Sequence, residues 1–187
     1  EMKKVTNQKA SGRCWGFAGL NLMRISLAEK YNLADFEFSQ NYFMFFDKLE
    51  KSNYFLENIL QTLDESYDSR IMMHLLNSPV QDGGQWDMFV NLIEKYGVVP
   101  QSVMAESVQS SQSRAMNQFL TRKLREFASV LRVMNNKGKN ISDLRNEKEK
   151  MMSEIYSMLC ICLGDPPTKF DWQTRDKKNK FIRITDL

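Results

Sequence analysis

From position 14 to about position 30 the chain carries Trp15, Phe17, Ala18, Leu20, Leu22, Met23, Ile25, Leu27 and Ala28, with no proline among them. Hydrophobic residues at this density do not fit one stripe of a 3.6-residue period. A helix built from them is apolar on more than one face and is expected to lie buried at the centre of a domain. Asn32 closes the run. The same feature directs attention to chemistry at its start. Cys14 stands at the expected helix N-terminus, where the macrodipole and the free backbone N–H groups favour a thiolate. Gln8, just upstream, supplies a neutral amide donor. A nucleophile and an oxyanion donor together make half of an acyl-transfer site.

The rest of the chain reads mainly as helices. Ser39 is expected to cap a helix through Tyr42, Phe43, Phe46 and Leu49, with a separate helix over residues 54–63. Asp68 is expected to cap a short helix through Ile71, Met72 and Leu75 that Pro79 ends. Asp82-Gly83-Gly84 reads as a turn. A helix over residues 85–96 follows, with Phe89, Leu92, Ile93 and Tyr96 on one face and Gly97 after its end. Beyond a polar stretch at 101–113, Met116, Phe119, Leu120, Leu124, Phe127, Leu131 and Met134 recur at helical spacing. Asn135-Asn136-Lys137-Gly138 breaks that pattern. A second helix over 142–163 pairs with the first as an antiparallel hairpin, and its charged segment 145–150 reads as a solvated face. Period-two alternation at 169–174 and 180–184, around a turn at 176–179, predicts a β-hairpin.

Composition narrows the functional classes. At 187 residues the chain can build a real core. Its 26 basic and 23 acidic residues give a nearly balanced net charge of +3, from which no obligate nucleic-acid or membrane partner is inferred. No apolar run approaches the roughly 18–20 residues needed to cross a bilayer, and no secretory leader is visible. Glu1 is not an initiator and Leu187 follows no terminal element, so both ends read as cut and a longer parent is expected. The three cysteines, Cys14, Cys160 and Cys162, form no CxxC pair, which argues against a disulfide framework or a zinc site. Cys160 and Cys162 would point about 200° apart on a helix, so they cannot share a metal; they read as small buried hydrophobes. No metal or organic cofactor is called for, and the reducing cytosol is the default compartment.

Gly12-Arg13-Cys14-Trp15 with Gln8 upstream resembles the active-site segment of papain-like cysteine peptidases. The resemblance is closer to the bleomycin hydrolase branch. It rests on 6–15, Phe36-Glu37-Phe38-Ser39-Gln40, 82–88, 94–100 and Cys160-Ile161-Cys162-Leu163-Gly164, and spans nearly the whole chain. It implies that Cys14 is the nucleophile and that Gln8 donates to the oxyanion beside the backbone N–H of Cys14. Trp15 would pack beside the nucleophile, and Gly83 and Gly84 would let extended substrate backbone approach. Ser11 and Gln81 stand where the wider family carries a disulfide pair, which fits a cytosolic branch.

The fold class that follows is α+β and papain-like. The expected segments are a helical lobe at 1–105, a helical-hairpin insertion at 106–165 and the start of a strand-rich lobe at 166–187. The segment itself is predominantly α. The family's base is a histidine far downstream of the cysteine, with an asparagine. The single histidine here, His74, precedes the glycine pair and reads as a structural or surface helix residue. The segment alone is therefore expected to be inactive. For the parent, the resemblance implies aminopeptidase action on peptide and small amide substrates, with the preference set by a C-terminal arm. It also implies a cytoplasmic homohexamer. Nucleic-acid binding enters by family analogy only. The alternative is a non-catalytic product that acts in binding or assembly.

Overall fold

The structure is a computed structural model and describes residues 5–186. Glu1 and Leu187, the ends read above as cut, lie outside the described residues. The elements are α1 (Cys14–Lys30), α2 (Gln40–Gln61), α3 (Arg70–Asn77), α4 (Trp86–Tyr96), α5 (Val108–Ser111), α6 (Arg114–Asn136), α7 (Ile141–Leu163), β1 (Trp172–Arg175) and β2 (Phe181–Ile184). They form two compact units. The first comprises Glu1–Phe46, Asp82–Ser113 and Leu163–Leu187; the second comprises Asp47–Gln81 and Arg114–Cys162. These units cut across the segments expected from sequence. The polar stretch at 106–113 lies with the first unit and 47–81 with the second, because a unit is defined by contacts that skip along the chain.

The first unit is built around α1. Its buried side holds Gly16, Phe17, Gly19, Leu20, Arg24 and Ala28. Gly16 lies so close to the Phe43 ring of α2 that a Cβ would collide with it, and at Gly19 a Cβ would come 2.5 Å from the Phe89 ring of α4. The two small residues thus let α2 and α4 close onto α1. Phe36, Phe38, Phe43, Phe89 and Trp172 complete the core with Leu20, Leu33 and Leu92, and Phe36 meets Phe38 and Trp172 edge-on at 4.8 and 5.4 Å. The expectation of a helix buried all round is corrected. Leu22 is 60% and Ile25 48% exposed, so the apolar residues of α1 exceed the face that its neighbours in this unit cover.

Two polar side chains set the path into and out of this core. Ser39 caps α2 as expected, accepting from the Tyr42 N–H (3.0 Å) and donating to the Met104 carbonyl (2.6 Å). Asn41 donates to the carbonyls of Ala105 and Leu163, each at 2.7 Å, tying two later segments to the start of α2. The hairpin forms as predicted, with Trp172 opposite Ile184 and Arg175 opposite Phe181. Asp176 accepts from the N–H groups of Lys178 and Lys180 at 2.8 Å, and Asn179 adopts φ +62° to close the turn.

In the second unit α2 continues where two helices were expected. Ser52, between the two expected helices, donates its hydroxyl to the Lys48 carbonyl (2.7 Å) and stays helical. Ser69, not Asp68, caps α3 through the Met72 N–H. The α6–α7 hairpin is present, with Met116, Leu120, Leu124, Phe127 and Leu131 buried along α6. A Lys123–Glu154 ion pair (2.8 Å) marks its antiparallel register. Phe119, placed on the apolar face by its spacing, is 62% exposed. Lys148 corrects the solvated-face expectation: it is 5% exposed and pairs with Glu57 of α2.

Candidate active site

Cys14 is the first residue of α1 and its side chain is exposed. Arg13 is the N-cap, with φ −96° and ψ 16°, and its side chain does not cap the helix. The first N–H groups of α1 therefore lack the hydroxyl or carboxylate acceptor that an ordinary N-cap provides. They stand beside the thiol, where such groups stabilise negative charge.

The segment before Cys14 is tightly specified. Gln8 is half-buried, and its side-chain oxygen is buried with no hydrogen-bond partner. The Gln8 carbonyl accepts from Ser11 Oγ at 2.5 Å, and Ser11 Oγ accepts from Arg13 Nε at 2.8 Å. Lys9 and Gly12 take φ values of +55° and +56°, so the backbone turns sharply twice between Gln8 and Cys14. At Gly12 a Cβ would lie 2.6 Å from Asp82. Only glycine meets both demands, the left-handed backbone and the close approach.

Asp82 leads into the predicted glycine pair, and the pair is in contact with the nucleophile segment. A Cβ at Gly84 would stand 2.7 Å from the Trp15 indole. Trp15 in turn meets Phe43 edge-on at 4.9 Å, which anchors it to the core. Gly83 differs: it has φ +88°, and a Cβ there would meet nothing within 4 Å. The pair thus has two separate requirements. Gly84 makes room for Trp15, and Gly83 permits the turn and leaves open space above it. Cys14, Trp15, Gly83 and Gly84 share one neighbourhood, joined by the Gly12–Asp82 and Trp15–Gly84 approaches.

Four residues that hold this arrangement escaped sequence reasoning. Arg13 is 4% exposed and makes a bidentate pair with Glu106, at 2.9 and 2.7 Å. Glu106 also accepts from Ser110 Oγ at 2.8 Å, and Ser107 and Ser110 form a capping box on α5. The only signals were a charged residue just before an apolar helix and an acid within a serine-rich stretch, and neither names its partner. His74, by contrast, is an exposed residue of α3 in the second unit. Cys160 and Cys162 are half-buried on α7, and burial pushes the Cys162 thiol pKa up.

An apolar cleft of about 410 Å³ lies elsewhere in the first unit, lined by Leu27, Phe36, Tyr42, Tyr96, Phe170 and Trp172 among others; neither Cys14 nor Gln8 lines it. Among the described residues no group of three or more His, Cys, Asp or Glu side chains is placed to hold a metal ion. No helix among them is long and apolar enough to cross a membrane.

The profile of the Peptidase C1-like family matches residues 1–187. Aminopeptidase C of Listeria monocytogenes is 52% identical over 178 residues, which is 95% of this chain and 40% of its own length. Bleomycin hydrolase of Oryctolagus cuniculus is 47% identical over 186 residues, 98% of this chain and 67% of its own. The solved structure of PepW from Lactobacillus rhamnosis superposes with a TM-score of 0.97 at 49% identity, over 100% of this chain and 42% of that one. The chain spans about two fifths of the length of the aminopeptidase C and PepW relatives. The fold is papain-like, here mostly helical with a two-stranded sheet. By sequence and by fold, this chain belongs to the Peptidase C1-like family.

Proposed function

We propose that the chain carries the nucleophile half of a cysteine aminopeptidase of the bleomycin hydrolase and aminopeptidase C type. The observation that carries this reading is the exposed thiol at the first residue of α1, in one neighbourhood with Trp15 and the Gly83–Gly84 turn. The relatives named above support the reaction class.

In this reading Cys14 Sγ attacks the scissile carbonyl carbon. The new C–S bond forms as the carbonyl π electrons move to oxygen. The Gln8 amide and the Cys14 backbone N–H hold that oxyanion. A base outside residues 1–187 takes the Cys14 thiol proton on attack; collapse of the oxyanion breaks the C–N bond, and that group returns the proton to the leaving amine. Water then cleaves the thioester. The open space at Gly83 suits extended substrate backbone. No part of this reaction is assigned to His74. The isolated segment is accordingly expected to show no turnover. The cytoplasmic location, hexameric assembly and exopeptidase preference set by a C-terminal arm belong to this reading by analogy with the family.

The test is covalent labelling of the full-length parent with an epoxide inhibitor of papain-like enzymes. Labelling is expected at Cys14 and lost in Cys14→Ala with Cys160 and Cys162 intact. Labelling that persists in Cys14→Ala would refute the assignment.

A further inference from the structure

One guanidinium connects the two proposed oxyanion donors. Each of the three guanidinium nitrogens of Arg13 donates: Nε to Ser11 Oγ at 2.8 Å, and Nη1 and Nη2 to the two carboxylate oxygens of Glu106 at 2.9 and 2.7 Å. Its guanidinium carbon lies over the Phe17 ring, 5.0 Å from the centroid, one turn into α1. A planar fork bound at all three nitrogens and seated over an aromatic ring has little freedom to reorient. Glu106 is fixed in turn by Ser110 Oγ. The backbone supplies a second grip three residues upstream, where Ala10 N–H donates to Ser111 (3.0 Å) and the Ala10 carbonyl accepts from Ser113 (3.2 Å).

Two links lead from Arg13 to the chemistry. As N-cap, its ψ of 16° sets the plane of the peptide that carries the Cys14 N–H. Ser11, held by Arg13 Nε, donates its own hydroxyl hydrogen bond to the Gln8 carbonyl at 2.5 Å. Both ends of the Gln8–Cys14 arc are therefore tied to the same side chain. Enclosing the Arg13 guanidinium in an ion pair whose Glu106 partner stays 26% exposed is a costly route to stability, since apolar residues of similar volume often do as well. Fixing a conformation is the return that the geometry here offers. Ser11 also occupies the position where the wider family carries a half-cystine, and it joins this network in place of a covalent tie.

We propose that Arg13, oriented by Glu106, is a positioning residue that holds the Gln8 amide and the Cys14 backbone N–H in register as the oxyanion site. The proposal rests on the roles given to Gln8 and Cys14 above. Arg13 touches neither substrate nor reacting atoms; it acts through the arc it braces.

The test uses the full-length parent with Arg13→Lys, which keeps the charge and loses the fork, Glu106→Gln, and Ser11→Ala. Turnover of alanyl 4-nitroanilide is measured per active site, titrated with the epoxide. Affinity for a peptide aldehyde, whose adduct places an oxyanion in the site, is measured beside it. So is the rate of Cys14 alkylation by iodoacetamide, which needs the thiol alone. Complete loss of one oxyanion donor costs about 10²–10³-fold in kcat, so misplacement is expected to cost about 10–100-fold in Arg13→Lys and Glu106→Gln. KM and the alkylation rate are expected to stay within about threefold, while aldehyde affinity falls with kcat. Ser11→Ala leaves the ion pair in place, so it reports even if Arg13→Lys does not fold; it is expected to lower kcat and aldehyde affinity together, by less. Unchanged kcat per active site in the folded variants would overturn the proposal. So would a kcat loss matched by an equal loss of alkylation rate, which would place the effect on the thiol. Turnover that survives in Cys14→Ala would instead remove the underlying reading.

Discussion

At the residue scale the glycine pair shows how one motif can hold two different constraints. Gly84 faces the Trp15 indole at a separation no Cβ tolerates, whereas Gly83 is open but has φ +88°. Gly84→Ala must move an indole packed on Phe43 and is expected to destabilise by about 1–3 kcal/mol. Gly83→Ala carries only the left-handed backbone cost, about 1–2 kcal/mol. Melting temperatures of the two variants would separate these costs; equal shifts with unaltered Trp15 fluorescence would contradict the Gly84 account. Gln8→Ala, under the proposed oxyanion role, is expected to lower kcat about 10²–10³-fold. A kcat within a few-fold of wild type would remove that role. Cys14 and Gln8 could be picked from sequence by residue type and spacing, whereas Gly83 and Gly84 read locally as a turn and gained a substrate role only through the family resemblance. Arg13 and Glu106 could not be picked, because a side-chain pair 93 positions apart leaves no local pattern in one sequence.

At the element scale charge was misread on α7 and went unread on α6. Amphipathic spacing located both helices, but spacing treats every Lys and Arg as solvent-facing. Arg132 of α6 is 6% exposed and donates to the carbonyls of Thr62 (2.9 Å) and Glu65, just beyond the end of α2, with its plane 4.3 Å over the Tyr67 ring. Removing it leaves helix-end carbonyls without their donor. Arg132→Met is expected to lower the unfolding free energy by about 2–3 kcal/mol, measured by urea denaturation. Lys148 makes a pH-dependent contribution. Its hydrogen bond to Glu57, with its charge and that of Arg145, holds the Glu57 carboxyl below its usual pKa against the opposing effect of burial. The unfolded chain thus binds that proton more readily than the folded one. The stabilisation is complete above the ordinary glutamate pKa of about 4.3 and is lost as pH falls through the lower folded value. The stability gap between wild type and Lys148→Met is therefore expected to shrink as pH drops below about 4. A gap that is constant or grows towards acid would contradict the pairing.

At the scale of the whole molecule, the two units show why contiguous segments were the wrong guide to organisation. Asn41 gathers residues 105 and 163, and residues 106–113 return to grip residues 10–13. The first unit is thus assembled from three stretches of chain. It leaves Leu22 and Ile25, one turn apart on α1, in solvent. Apolar surface of this kind promotes association. The 187-residue chain by itself is expected to self-associate, and Leu22→Lys with Ile25→Glu is expected to lower its mass in light scattering without lowering its melting temperature. A monomeric wild-type chain that melts cooperatively would contradict this.

The sequence by itself determined most of the helical segments, the closing hairpin, the family resemblance and the residues able to carry thiol chemistry. Each of these follows from residue type, periodicity or local spacing. Only the tertiary structure decided which face of α1 is covered, that α2 is one helix, that Lys148 and Arg132 are buried, and that Arg13 meets Glu106 across 93 positions. Those outcomes depend on distant segments competing for the same surface. That competition is settled when the chain packs, so no local pattern records it.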